Sequence, residues 1–169
     1  MDTIHIKDTP DIICPNFHFT YHDFFQPEFG GGVEFDIPKC LVIGVETLRN
    51  WFGLPMDVTS TIRFGSNQGF HSYADGFGAL DTVPSNRNNW YEIKTDFEDE
   101  CATYQKDKSS QLIYKLRSIG VKGFGIEGSC IHIDYRPDEH CTSSDEFGKY
   151  CIFEWHPDGT PQGKSEVLL

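Results

Sequence analysis

Long apolar runs are missing from this 169-residue chain. The longest, Cys40 to Val45, falls far short of the ~20 residues a helix needs to cross a bilayer. No basic stretch followed by an apolar one opens the chain, so a membrane anchor and a secretory leader are not expected, and cytoplasmic synthesis is. Positive charge is also scarce: 14 Lys+Arg stand against 26 Asp+Glu, a net charge of −12. A phosphate-binding face needs clustered basic side chains, and without a basic patch nucleic acid is not an expected partner. The six cysteines, at 14, 40, 101, 130, 141 and 151, include no C-x2-C pair, which argues against a zinc ribbon or finger. Free thiols are the expectation in a reducing compartment, with Cys141–Cys151 the most feasible bridge because a polar loop separates them. Repeats and low-complexity tracts are absent too.

What is present is a core. Apolar residues make up 38 % of the chain and 14 are Phe, too rich in large side chains for a disordered polypeptide. The length suits one domain spanning residues 1–169. Residues 1–35 read as an irregular aromatic segment laid over that core. Leu41, Val45, Leu48 and Phe52 recur with helical spacing, so a helix is predicted from about Pro38 to Phe52, with Asp36 as its cap and Gly53 as its stop. Asp57 to Phe64 is β-branched and reads as a strand, followed by a Gly-rich loop to Gly78 and a short strand from Ala79 to Val83. Trp90 to Thr95 alternates like a strand, while Phe97 to Lys106 could be a helical turn. A second helix is predicted over Ser109 to Ser118, stopped by Gly120. Phe124 to Tyr135 reads as one long strand, residues 136–149 as a polar loop, and Tyr150 to Trp155 as the last strand. Helices and strands mix without a βαβ rhythm. The predicted class is therefore α+β, a mainly antiparallel sheet with a few helices packed on it.

Three places could carry chemistry. In Cys130-Ile131-His132-Ile133-Asp134, alternation turns His132 and Asp134 to one side, where an imidazole and a carboxylate suit a metal site or an acid/base pair, or simply a solvated face. The loop from His71 to Asp81 offers an imidazole, the carboxylates of Asp75 and Asp81, and glycines that let a ligand approach closely. Two His and one carboxylate with an open position is a common catalytic zinc arrangement. At a strand end, Ser60-Thr61-Ile62-Arg63 places an Arg that could bind a carboxylate or polarise a carbonyl.

The order of these segments carries a resemblance. Leu48 to Arg63 resembles the "LR…hG.P..v.S..R" stretch of the D-alanyl-D-alanine metallopeptidases (peptidase family M-15), most of all their small single-domain phage and bacterial branch. There the Arg precedes an S-x-H-x6-D motif, and a Gly-rich strand ending H-[VI]-D-x-R follows. Gly123 to Arg136 is similar to that last element, Phe17 to Phe29 to the family's N-terminal segment, and Trp155 to a tryptophan that follows the last motif. Gly78-Ala79-Leu80-Asp81 is similar to G-x-A-x-D with one position missing. His71 and Asp81 are ten residues apart where the family's pair is seven apart, implying a short insertion that makes Asp75 a rival ligand.

The resemblance implies a fold like that of the hedgehog proteins and D-Ala-D-Ala peptidases, with Zn2+ held by His71, Asp81 and His132. It implies hydrolysis of peptide bonds involving D-amino acids in peptidoglycan stems, as a carboxypeptidase or an endolysin-like endopeptidase. Many relatives carry a catalytic acid three residues before the last His, where this chain has Ser129. Asp134 and Glu127 are the nearest substitutes; strand parity favours Asp134, which could instead orient a ligand imidazole. Arg63 would stabilise an oxyanion or, with Ser60, grip substrate. An acidic protein is repelled by an anionic wall, so a larger assembly such as a phage particle is an expected partner for delivery. A family-fold module without catalysis, serving a virion or binding role, and an acidic mimic of nucleic acid are the other readings. The alignment predicts that Asp81→Asn loses metal while Asp75→Asn keeps it, because a strand end holds a ligand more rigidly than a loop tip. Elemental analysis of the two purified variants decides between them.

Overall fold

Apolar spacing starts the fold in the middle of the chain. The computed structural model describes residues 2–13, 18–25, 33–62, 71 and 78–154. Helix α2 (Lys39–Phe52) buries Leu41, Val42, Val45 and Leu48 and ends at Gly53, whose left-handed backbone lets its N–H reach the Arg49 carbonyl. Asp36 is not its cap. That residue lies in β2 (Phe35–Pro38), where its carboxylate meets His5 Nδ1 at 2.8 Å. β2 pairs antiparallel with β1 (Thr3–Ile6), so the N-terminal segment is less irregular than its composition suggests. A four-residue helix, α1 (Tyr21–Phe24), follows a Thr20–Asp23 capping box and buries Phe24.

The main sheet has six strands in the order β3-β4-β6-β5-β8-β7. β3 (Met56–Ser60), β4 (Ala79–Pro84), β6 (Cys130–Asp134) and β5 (Gly123–Glu127) pair antiparallel in turn. β8 (Gly148–Glu154) runs parallel to β5, and β7 (Ser143–Asp145) closes the edge as a hairpin with β8. With helices packed on this mostly antiparallel sheet, the class is α+β. No described helix is long and apolar enough to cross a membrane.

Two expectations fail for lack of window length. Trp90 to Thr95 is not a strand but the start of α3 (Trp90–Asp107), because Ile93, Phe97, Cys101 and Tyr104 together make a helical stripe that six residues cannot show. Phe124 to Tyr135 is not one strand but the β5–β6 hairpin, turned at Gly128-Ser129 with Gly128 at φ +61°. Gly-Ser between two alternating runs is a known two-residue hairpin signal. The polar loop after Arg136 also contains β7. The five described cysteines are free thiols, so Cys141 and Cys151 are not bridged.

Alternation divides the sheet into two faces. Leu80, Ile131, Ile133, Phe124 and Ile126 fill the core beneath the helices. α2 seats closely there, since a Cβ on Gly44 would come within 2.9 Å of Ile133 Cδ1. The other face carries a cross-strand row of Ser60, Asp81, His132, Gly125 and Phe153, each in register with the next.

Helix α4 (Gln111–Ser118), capped by the Ser110 hydroxyl, is tied to β7 by a buried pair. Arg117 Nε and Nη2 donate to Asp145 at 2.8 and 2.9 Å, and the Tyr104 hydroxyl donates to the same carboxylate at 2.6 Å. Burial would raise the Asp145 carboxyl, but the Arg117 and Tyr104 hydrogen bonds outweigh it and hold the group below its ordinary value. The stabilisation is therefore full above the ordinary carboxyl pKa of ~4 and is lost as pH falls through the lowered value. Asp145→Asn, which leaves Arg117 buried without its counter-charge, is expected to cost on the order of 3 kcal/mol at neutral pH. Urea titrations across pH should show the gap between variant and wild type closing as the wild-type carboxyl protonates.

Candidate metal centre

The row across the sheet brings together residues from four separate stretches of chain. Asp81 enters from β4, His132 from β6 and Glu127 from the end of β5, while His71 reaches in from the β3–β4 connection. One potential ligand atom from each lies within 4.8 Å of all the others. His132 Nδ1 is 2.9 Å from Asp81 Oδ1 and 2.8 Å from Glu127 Oε2. His71 Nε2 is 3.2 Å from Asp81 Oδ2 and 3.9 Å from Glu127 Oε2. The imidazoles meet edge to face at 5.0 Å between centroids. Ten residues of separation therefore do not keep His71 from Asp81.

Hydrogen bonding assigns the ring nitrogens. Thr61 O accepts from His71 Nδ1 at 2.6 Å, which leaves Nε2 as a lone pair. That Nε2 is buried in the cluster without a hydrogen-bond partner. The Thr61 hydroxyl in turn donates to Phe24 O, linking this carbonyl to α1. On His132, Nε2 is 2.8 Å from Asp134 Oδ2. The opposite nitrogen, Nδ1, faces two carboxylate oxygens, more acceptors than one N–H can serve well.

The electrostatics show the same imbalance. Burial raises the Asp81 carboxyl, yet the two imidazoles beside it, His71 and His132, hold it well below the usual carboxylate range. Burial disfavours charge on His132, but Glu127's charge and then hydrogen bonds to Asp134, Asp81 and Glu127 raise its pKa well above the ordinary value. Nearby, burial followed by the charges of Asp81 and Glu127 pushes the Cys130 thiol up to about 12. Two imidazoles and two carboxylates, with an orphaned lone pair aimed among them, fit a divalent cation by donor type and number. The cluster could hold a metal ion and is compatible with a metal-dependent enzyme.

The sequence-derived candidates sort unevenly around it. His71, Asp81, His132 and Glu127 come together; Asp134 does not join them. It shares His132's face, as strand parity requires, but touches the ring's far nitrogen, is fully buried, and is gripped by Arg136. Ser60 is buried opposite Asp81 on β3. Arg63, Asp75, Trp155 and, within Phe17 to Phe29, residues 17 and 26–29 lie outside the described residues. Sequence reasoning assigned no role to Thr61, Gly123, Gly125, Arg136 and Phe153; the glycines and Phe153 matter through pairing across strands, Thr61 and Arg136 through hydrogen bonds to His71 and Asp134. No protein-family model matches the chain, and no curated protein or solved structure matches it either.

Added zinc or cobalt is expected to raise the wild-type thermal midpoint, with about 2.7 kcal/mol of stabilisation at 100 times the Kd. His71→Ala removes one donor and should lose most of that shift while keeping its fold. Thermal scans with and without metal check this, and an unmoved wild-type midpoint would refute the site.

Proposed function

We propose that this protein is a zinc-dependent peptidase acting on peptide bonds that involve D-amino acids in peptidoglycan stems. The observation that carries the reading is the asymmetry of the cluster. His71, Asp81 and His132 are no more than 5 % exposed at their side chains, whereas Glu127 is 26 % exposed. Three buried donors and one accessible carboxylate match the division between metal ligands and a group that meets substrate. The substrate class is supported by the order and spelling of the segments around Arg63, Asp81 and His132, which resemble the D-alanyl-D-alanine metallopeptidases.

His71, Asp81 and His132 would hold the zinc, which when bound would supply Lewis acidity for a carbonyl and lower the pKa of water towards ~7. Glu127, rather than Asp134, takes the proton of the attacking water and passes it to the leaving amine. Asp134 is spent on His132 Nε2 and Arg136, so it has no oxygen to offer a substrate. Arg63 completes the reading as the partner of the developing oxyanion or of a substrate carboxylate, and Ser60, at the end of β3, as a second group that grips substrate. A net charge of −12 makes delivery by a larger assembly, such as a phage particle, part of the same proposal.

Glu127→Gln is expected to retain zinc and to lower the release of D-amino-acid-containing fragments from purified peptidoglycan by ~10²–10⁴-fold. Loss of turnover at saturating zinc in Asp134→Asn but not in Glu127→Gln would reassign the base. Zinc-loaded wild type that leaves several peptidoglycans and D-Ala-D-Ala peptides intact would refute the peptidase reading.

A further inference from the structure

Arg136 is the largest fully buried side chain among the described residues, and 1 % exposed. An apolar side chain of similar size would fill that space without the cost of burying a charge, so its chemistry invites explanation. Its guanidinium forks onto one carboxylate. Nε donates to Asp134 Oδ1 at 3.0 Å and Nη2 to Oδ2 at 2.8 Å, while Nη1 reaches His140 O at 3.3 Å. Asp134 Oδ2 is also the atom that meets His132 Nε2.

We propose that Arg136 is a positioning residue for the metal centre. It holds Asp134 so that Oδ2 accepts the Nε2–H of His132, which makes Nδ1, facing Asp81 and Glu127, the nitrogen left to ligate an ion. The proposal rests on the cluster being a metal site. A neutral imidazole carries one proton, and the nitrogen that carries it cannot ligate, so the partner on one side of the ring decides whether the other side is a donor. Because Arg136 donates to both oxygens of Asp134, that carboxylate can present only an acceptor to the ring.

The surrounding fold makes room for this relay. Gly123 lies opposite Asp134 on β5, and a Cβ there would overlap the carboxylate. Gly125 lies opposite His132, and a Cβ there would come within 2.7 Å of the Phe153 ring. Phe153 in that berth packs against the His132 ring at 5.3 Å and lies 5.1 Å from Arg136 Cζ, covering the relay. The two glycines of β5 thus seat the carboxylate and the ring that fix His132 from behind.

The test is zinc affinity by competition with a chromophoric chelator, together with the visible spectrum of the cobalt-loaded protein. It uses wild type, Asp134→Asn, Arg136→Met and the double variant. In Asp134→Asn the amide can turn its NH2 toward His132 Nε2 and send the ring proton to Nδ1. Each single variant is expected to weaken zinc binding by ~10–100-fold and to shift the cobalt spectrum. The double variant should bind no more weakly than Asp134→Asn alone, because Arg136 acts through Asp134. Folded Arg136→Met that binds zinc within twofold of wild type, or losses that multiply in the double variant, would overturn the proposal. If Arg136→Met does not fold, the double variant, which leaves no unpaired carboxylate, decides against Asp134→Asn on the same criterion. Wild type that binds neither zinc nor cobalt overturns the metal site itself, whereas tight wild-type binding with unaffected variants overturns only the role of Arg136.

Discussion

The imidazole of His132 lies out of water among three carboxylates, Asp81 and Glu127 at Nδ1 and Asp134 at Nε2. Buried charge survives only when it is compensated, and here the two sides of the ring are compensated differently. Behind the ring, Arg136 neutralises Asp134 with a two-pronged grip. In front of it, among the described residues, the basic side chains that meet Asp81 and Glu127 are imidazoles, and one of those, His71, turns an unpartnered lone pair toward them. Arg136 supplies a cation on one side, and the cluster on the other side could hold a metal ion.

This imbalance depends on the sheet. Asp81 and His132 are paired residues on neighbouring antiparallel strands, so their side chains leave the same face. Glu127 joins them because the turn at Gly128-Ser129 folds β5 back beside β6, two positions along from Gly125. Helices α2, α3 and α4 supply the apolar cover on the opposite face, which keeps the strands in register without intruding on the polar one. Small residues matter on both faces: Gly44 lets α2 settle on Ile133, while Gly123 and Gly125 clear space for Asp134 and Phe153.

Much of the fold was legible where a single period runs long enough. α2, α4 and the cores of β3, β4, β6 and β8 each announce themselves through spacing and terminators that local sequence contains. α3 was misread because its first six residues alternate by chance, and only Ile93, Phe97, Cys101 and Tyr104 taken together reveal the helix. The β5–β6 hairpin was misread because two strands with matching alternation look like one when the turn between them is two residues long. The sheet order, with β8 parallel to β5 and β6 between β5 and β4, is written in no local pattern at all.

The candidate site divides along the same line. His132 and Asp134 sharing a face follows from strand parity, a property of the backbone that any neighbouring residues obey. His71, Asp81 and Glu127 could be nominated from residue type and order, since imidazoles and carboxylates are the groups that bind metals and move protons. Which carboxylate faces the front of His132 and which braces its back could not be. Asp134 is two residues from His132 and Glu127 is five, yet the nearer one meets the far nitrogen and the more distant one the near side of the cluster. Chain distance constrains only groups on one strand, whereas a hairpin and three further strands set these contacts. Arg136 shows this most plainly: in the sequence it closes the H-I-D-Y-R element without a role, and only burial and the direction of its fork give it a partner. The sequence by itself determined the chemical vocabulary and the faces of each element; the tertiary structure decided the roles, because a role is set by which atoms meet out of water.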